Sequence, residues 1–324
     1  MPLDTPKDVV NVDGDPAKKV SVYVAGANYA DSFGYEWKKF RDVYIDSTLG
    51  APLSLTRLEL NLGMPIDFLE GLDVLEIGCG AGRFTEHLVK HAAHVTAVDY
   101  SDAVFCNVAL GAPNLTAMKA DMLDLPKFSG NFDLVFCRGV IQHTRDPKRA
   151  LQSLFETVKP GGLVIFDVYR KNPRYQRSWK YFFRPIFQKR VPLERFHAYL
   201  EKNGERLYRL QQRLLKLYGR VGLLRRIVGW TPLYVSTDLD KEYPMLDHTQ
   251  RVEIFKTEMV DALYAHYDAP MSPREVIDAL AEIGQRPYSY DQQRNQYRCR
   301  KTESSAPIKV VMVKHGVFRV EPKA

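Results

Sequence analysis

Long apolar runs are missing from this 324-residue chain. No segment approaches the roughly 18 uninterrupted apolar residues of a membrane-spanning helix. Residues 1–19 are polar, hold Pro2, Pro6, Gly14 and Pro16, and lack the apolar core of a secretory signal. A soluble, cytoplasmic protein is therefore expected. Cysteine is scarce: Cys79, Cys106, Cys137 and Cys299 are the only four, no C-x-x-C pair occurs, and no His/Cys group has zinc spacing. Three of them sit in or beside apolar segments, where a thiol packs as a small hydrophobe. Neither disulfides nor a structural metal is expected. No internal repeat or low-complexity tract is present.

Charge is present but unevenly spread. The net charge is +7, yet residues 170–229 alone hold 17 Lys or Arg against three acids, Glu194, Glu201 and Glu205, a net of +14. The rest of the chain is net acidic, so the basic character belongs to one segment and needs its own explanation.

The hydrophobic rhythm divides the chain. Residues 1–25 read as a flexible N-terminus, and 26–70 as an aromatic-rich helical extension holding Phe33, Tyr35, Trp37, Phe40 and Tyr44. Over 71–169, short β-branched runs at 74–77, 95–98, 115–119, 132–137 and 163–168 alternate with helical stretches at 83–91, 101–109 and 147–158. That alternation predicts an α/β, doubly wound Rossmann-like sheet, mostly parallel and covered on both faces. Residues 170–247 read as a basic helical insertion capping the substrate. Residues 248–302 carry two helices, the second capped by Ser272 and Gly284, and an antiparallel terminal hairpin at 286–290 and 296–301. Residues 303–324 form a tail, with a further strand at 308–314.

The most informative stretch is 74–85, VLEIGCGAGRFT. A buried strand ends at Ile77, a glycine-rich turn follows, and a helix begins near Arg83. Gly78, Gly80 and Gly82 let the backbone approach a ligand, and the amides at the helix start face it. The spacing is G-x-G-x-G, not the G-x-G-x-x-G of a dinucleotide site, because Arg83 stands where the third glycine is needed. Glu76 would set a carboxylate beside any pyrophosphate. It suits instead a ligand carrying an ammonium group, as the methionine part of S-adenosyl-L-methionine does. Asp99 ends the second strand, 21 residues after Gly78, and is placed to accept from ribose hydroxyls. Asp121 and Met122 end the third strand and could meet adenine. Residues 137–143, CRGVIQH, follow the fourth strand on the side of methyl transfer.

Together, residues 74–85, 97–100, 120–122, 132–144 and 158–166 resemble class I S-adenosylmethionine-dependent methyltransferases, in particular the small-molecule group with a methyltransferase type 11 domain. The resemblance covers about a third of the chain. Residues 32–40 also resemble a subgroup associated with sugar or natural-product modification. The resemblance implies a cofactor site of Glu76, Gly78, Cys79, Gly80, Gly82, Asp99, Tyr100, Asp121, Met122, Arg138 and Gly139. Trp37, with Tyr35, would close over it as a lid or else pack a helix on the domain. His143 is the candidate general base, with loop support as its other reading. Cys79 reads as a packing residue and not as a nucleophile.

The expected reaction is O-methylation of a small or carrier-linked acceptor such as a sugar, glycolipid or natural product. A nucleic-acid methyltransferase and a non-catalytic binding module are the alternatives. No Asn/Asp-Pro-Pro-Tyr follows the fourth strand and no Pro-Cys nucleophile occurs, which counts against base-amine and cytosine C5 chemistry, and no DNA partner is expected. The basic segment could select an anionic acceptor, contact RNA or rest peripherally on a membrane. Read as a lid, it offers Arg174, Arg177, Arg184 and Lys189 as acceptor contacts, with His248 and Tyr267 from the C-terminal part.

Overall fold

The computed structural model describes residues 4–26, 28–39, 41–128, 132–171, 179–220, 238–303, 309–314 and 317–321. Its centre follows from period-two alternation in strands that are apolar on both sides. In β3 (Asp73–Ile77), β6 (Phe132–Cys137) and β7 (Val158–Asp167), the side chains of Val74, Leu134, Phe136, Leu163 and Ile165 enter one core. Leu75, Ile77, Val135, Cys137, Val164 and Phe166 enter the other. Burial on both faces demands helices on both faces. α3 (Leu53–Leu62) and α4 (Thr85–His91) cover the first, and α5 (Pro147–Thr157) and α10 (Pro273–Glu282) the second.

The strand order is β1-β2-β5-β4-β3-β6-β7-β9-β8, with β4 (His94–Asp99) and β5 (Leu115–Lys119) parallel to β3. After β3 the chain moves to β4 and β5, then returns past β3 to β6 and β7. The switch lies between β3 and β6, whose carboxyl ends open a crevice. β8 (Pro287–Asp291) and β9 (Gln296–Arg300) form the antiparallel hairpin that the sequence predicts, β9 running against β7. Tyr297 anchors it, fully buried and stacked on Phe166.

Four expectations are corrected. Residues 1–25 are not a flexible leader over their described part. β1 (Asp8–Asn11) and β2 (Lys19–Val22) form a hairpin, and β2 adds to the sheet parallel to β5, burying Val20 against Ala97 and Ala117. The helix expected at 101–109 is a 3-10 turn over Asp102–Cys106. There the chain is drawn off to the glycine loop, the Val108 amide donating to the Ala81 carbonyl and Asn107 to Thr85. The strand expected at 308–314 is present as β10 (Lys309–Lys314), but the tail also holds an unexpected strand, β11 (Val317–Glu321), which pairs with it.

The fourth correction concerns the lid. α6 (Trp179–Arg190) and α7 (Leu193–Arg220) are basic helices as expected, but both pack on the outer side of α9 (His248–Tyr264). α9 is buried on several faces, with Ile254, Phe255 and Val260 all covered, because it lies between those helices and α1 (Asp31–Lys39). α1 and α9, with α8 (Leu239–Glu242), roof the crevice; the basic helices form a second layer behind them.

Candidate functional site

A cavity of about 520 Å³ opens at the carboxyl ends of β3, β4 and β6. Its floor holds Gly78, Cys79, Asp99, Tyr100, Met122, Arg138, Gly139 and His143; its roof holds Phe33, Glu36 and Trp37 from α1 and Thr257, Glu258 and Asp261 from α9.

The glycine loop is shaped by its neighbours as well as by any ligand. Gly78 and Gly82 take φ of +79° and +100°. A Cβ on Gly78 would overlap Val140, and one on Gly82 would overlap Asn107. Gly80 lies under the Trp37 indole, whose nearest atom would be 3.1 Å from an added Cβ. Trp37 thus lines the cavity over the loop, whereas Tyr35 turns outward to His197, ring centroids 4.5 Å apart.

Glu76 departs from its expected role. It is 2% exposed, is not part of the cavity lining, and accepts from the Thr85 hydroxyl at 2.7 Å. Burial pushes its carboxyl up to about 8, against the lowering effect of that hydrogen bond. Thr85 in turn accepts from Asn107 at 2.9 Å. A protonated Glu76 therefore locks the strand end to α4 and leaves the ligand side to other groups.

Asp99 does face the cavity. Its Oδ1 accepts from the Ser101 amide and hydroxyl at 2.8 and 2.7 Å, and its Oδ2 from the Gly80 amide at 2.8 Å. Oδ1 is thus filled, and Oδ2 has room for a further donor. Burial raises this carboxyl, while those bonds oppose the rise. Ala120 and Met122 line the cavity, but the Asp121 carboxylate turns away, accepting from the Leu123 amide at 2.9 Å and lying 3.6 Å from Arg145. Gly139 donates its amide to Asp167 at 2.6 Å, which holds the loop after β6.

His143 lines the cavity beneath Phe33 and edge-on to Tyr169. Its Nδ1 lies 2.9 Å from the Tyr267 carbonyl. A carbonyl only accepts, so Nδ1 carries the proton, and in the neutral ring Nε2 carries the lone pair. Tyr267 thus serves through its backbone, and its ring packs on Tyr29.

Of the remaining acceptor candidates, the described ones do not line the cavity. Arg184 is buried, donating to the Ala262 carbonyl at 2.8 Å and pairing with Asp268 at 3.0 Å; a buried guanidinium must find such partners, and these tie α6 to α9. Burial pushes the Asp268 carboxyl up, but Lys180, 2.6 Å away, and Arg184 hold it below the usual range. Lys189 is exposed on α6, and His248 pairs with Glu205 at 2.9 Å near the start of α9. Arg174 and Arg177 lie outside the described residues.

Sequence reasoning missed Glu36, Arg57, Asp167, Tyr169, Glu242, Glu258 and Asp261, all in the lining. A signal existed: Glu258 and Asp261 interrupt an apolar helix at a spacing of three, and Phe33 and Glu36 share the same spacing on α1. Among the described residues one cluster has metal-compatible spacing, Asp46, Glu86 and His87, with ligand atoms within 4.8 Å of one another. Its lone pairs are already engaged: Asp46 accepts from the Ser54 and Leu55 amides and from His87, and Glu86 accepts from the Asp46 amide.

A sequence profile described as "Methyltransferase domain" matches residues 75–166, from inside β3 to near the end of β7. The ubiquinone biosynthesis O-methyltransferase of Coxiella burnetii is 33% identical over 108 residues, 32% of this chain and 46% of that protein. The protein of the same name from Aromatoleum aromaticum is 28% identical over 173 residues, 50% of this chain and 66% of that one. The chain thus spans about half the length of the first of these relatives. A crystal structure of magnesium protoporphyrin IX methyltransferase from Synechocystis with bound S-adenosylhomocysteine superposes with a TM-score of 0.42 at 14% identity, covering 85% of this chain and 97% of that one. The profile match coincides with the β3–β7 half of the sheet and with the crevice at its switch point, so the part of the chain that resembles a methyltransferase domain, residues 75–166, is the part that builds the cavity floor.

Proposed function

We propose that the protein transfers the methyl group of S-adenosyl-L-methionine to a hydroxyl oxygen of a small or carrier-linked acceptor, a sugar, glycolipid or natural product. The observation that carries this reading is the cavity at the β3/β6 switch point inside the matched domain. Its donor set fits the cofactor. Asp99 offers a carboxylate oxygen to a ribose diol, Tyr100 and Met122 offer apolar surface to adenine, and Arg83 suits the methionine carboxylate. Arg83 is 7% exposed, yet its Nη2 makes no hydrogen bond. Burial lowers its guanidinium to about 9, with Arg57 and Arg138 adding to the effect. An anion beside it would relieve both costs.

When bound, the cofactor supplies an electrophilic methyl group on a sulfonium. The protein's part is to position the acceptor and exclude water, since the sulfonium charge is lost as the methyl moves and a dry site favours that loss. Phe33, Trp37 and Tyr169 supply the dry walls. The Nε2 lone pair of His143 takes the acceptor hydroxyl proton, and the Tyr267 carbonyl keeps the ring in that tautomer.

Titration calorimetry tests the reading: S-adenosylhomocysteine should bind and NAD should not. Binding of NAD with no heat from S-adenosylhomocysteine would overturn it.

Membrane contact belongs to the same proposal. Phe182, Ile186, Tyr199, Leu210 and Leu217 are exposed on the basic helices α6 and α7. That face supports peripheral contact with an anionic lipid surface, beside which a lipid-linked acceptor would be presented. Among the described residues, no helix is long and apolar enough to cross a membrane.

A further inference from the structure

The roof of the cavity concentrates carboxyl groups of the sign opposite to the basic helices behind it. Glu36 on α1 and Glu258 and Asp261 on α9 all line it. Among the described residues none of the three enters an ion pair. Arg57, the cation that lowers the Glu258 carboxyl, is already engaged with Glu242 at 3.3 Å and the Tyr243 hydroxyl at 3.2 Å. Lys180, which faces Asp261, is paired with Asp268.

Glu36 is the sharper observation. It is 7% exposed, and its Oε2 has no hydrogen-bond partner. Buried polar atoms are nearly always satisfied, so an orphaned carboxyl oxygen on a cavity wall marks the place of a missing donor. The group's protonation behaviour agrees. Burial, then Asp261 and Glu258, pushes the Glu36 carboxyl well above its usual range, and burial with Glu242 and Asp261 pushes Glu258 up to about 8. Glu36 and Glu258, buried and facing Asp261, are disfavoured as carboxylates; a cation among the three reverses that cost.

The cluster lies on the side of the candidate base. Phe33, one turn before Glu36 on α1, packs on His143 with ring centroids 4.7 Å apart. Tyr169 packs on His143 at 5.3 Å, and Asp261 is the strongest electrostatic neighbour of its hydroxyl. Of the arginines of the lining, Arg57 and Arg138 lower Arg83, and Arg57 also lowers the Glu258 carboxyl.

We propose that Glu36, Glu258 and Asp261 form a subsite for a protonated amino group on the methyl acceptor, so that the substrate is an amine-bearing hydroxyl compound. This rests on the methyltransferase reading above. It replaces the anionic acceptor expected from the basic segment, whose described helices α6 and α7 do not line the cavity. The amine is a handle: held by the roof, it presents a hydroxyl elsewhere on the molecule toward His143.

Two probes that share a phenol and differ in charge test it: tyramine and 4-hydroxyphenylacetate, titrated into protein saturated with S-adenosylhomocysteine. Tyramine should bind at least tenfold more tightly than the acid. Glu258→Gln should remove most of that preference, as should Asp261→Asn, with S-adenosylhomocysteine affinity unchanged. Either variant replaces a crowded carboxyl with an amide of the same shape, so melting temperature should hold or rise, which separates lost recognition from lost folding. Equal or tighter binding of the acid overturns the subsite, as does failure of both probes on protein that binds S-adenosylhomocysteine. Loss of S-adenosylhomocysteine affinity in both variants would assign the carboxyls to the cofactor's own ammonium group instead. If S-adenosylhomocysteine itself does not bind, the methyltransferase reading fails; the tyramine preference is then read on the free protein and stands or falls by itself.

Discussion

At the scale of single residues, the proposed reaction assigns cofactor binding to Asp99 and proton transfer to His143. Asp99 holds a carboxylate in the cavity with both oxygens already anchored to the backbone. Asp99→Ala should weaken S-adenosylhomocysteine binding by about tenfold to a hundredfold, the worth of one charge-assisted hydrogen bond. An unchanged dissociation constant would remove Asp99 from the cofactor site. His143→Ala should lower kcat by about a hundredfold and leave cofactor affinity nearly constant. Equal loss of both would return His143 to a purely structural role. Asp99 and His143 were legible in the sequence because their positions follow from strand ends. Glu76 was misread for a related reason: adjacency to a glycine turn fixes where a residue sits in the chain, while the Thr85 hydroxyl decides which way its carboxyl faces.

At the scale of elements, the β3–α4 turn depends on glycine for space. Gly78 has φ of +79°, and Val140 fills the volume a side chain would take. Gly78→Ala should destabilise the protein by about 2–4 kcal/mol, combining backbone strain and overpacking, and thermal unfolding reads this directly. The first turn of α4 carries a second device. His87 bridges Asp46 at 3.0 Å and Glu86 at 3.3 Å, fastening the segment before α3 to the Rossmann core. Burial opposes its protonation, but the two carboxylates win and raise it to about 9. Its stabilising effect is therefore complete below its unfolded value near 6.5 and is lost as pH rises through about 9. Asp46 and Glu86 are held below their usual values, so their share is present above the ordinary carboxylate range and is lost as pH falls below it. Wild type should thus lose melting temperature between pH 6.5 and 9 relative to His87→Leu. Parallel curves would show that the triad holds nothing together.

The elements themselves were legible where one rule governed them. β3, β4 and β6 are apolar on both faces and sit between clear turn signals. β1 and β2 were missed because an edge hairpin of four-residue strands, Asp-Val-Val-Asn and Lys-Val-Ser-Val, looks like polar loop until the sheet supplies a partner for Val20. The segment at 101–109 has helical composition, but contacts to the glycine loop, remote in sequence, override it.

At the scale of the whole molecule, charge is layered. Carboxyl groups line the roof of the cavity, and the basic helices lie outside that roof. Composition revealed the +14 segment but not the layer that its helices α6 and α7 occupy, because α9, far along the chain, is what comes between them and the cavity. The arrangement predicts sedimentation of the protein with phosphatidylserine vesicles and not with neutral ones, weakening with salt because exposed charges are screened beyond about 8 Å at physiological ionic strength. Equal recovery with both lipids would leave the outer face without a membrane role.

The central claim is that the cavity at the β3/β6 switch point is the cofactor and methyl-transfer site. A crystal structure with S-adenosylhomocysteine tests it most directly. The ribose hydroxyls should lie on the Asp99 carboxylate, the amino-acid carboxylate beside Arg83, and the thioether sulfur should face His143. Density for the ligand anywhere outside the crevice between β3 and β6, with Asp99 uncontacted, would contradict the account.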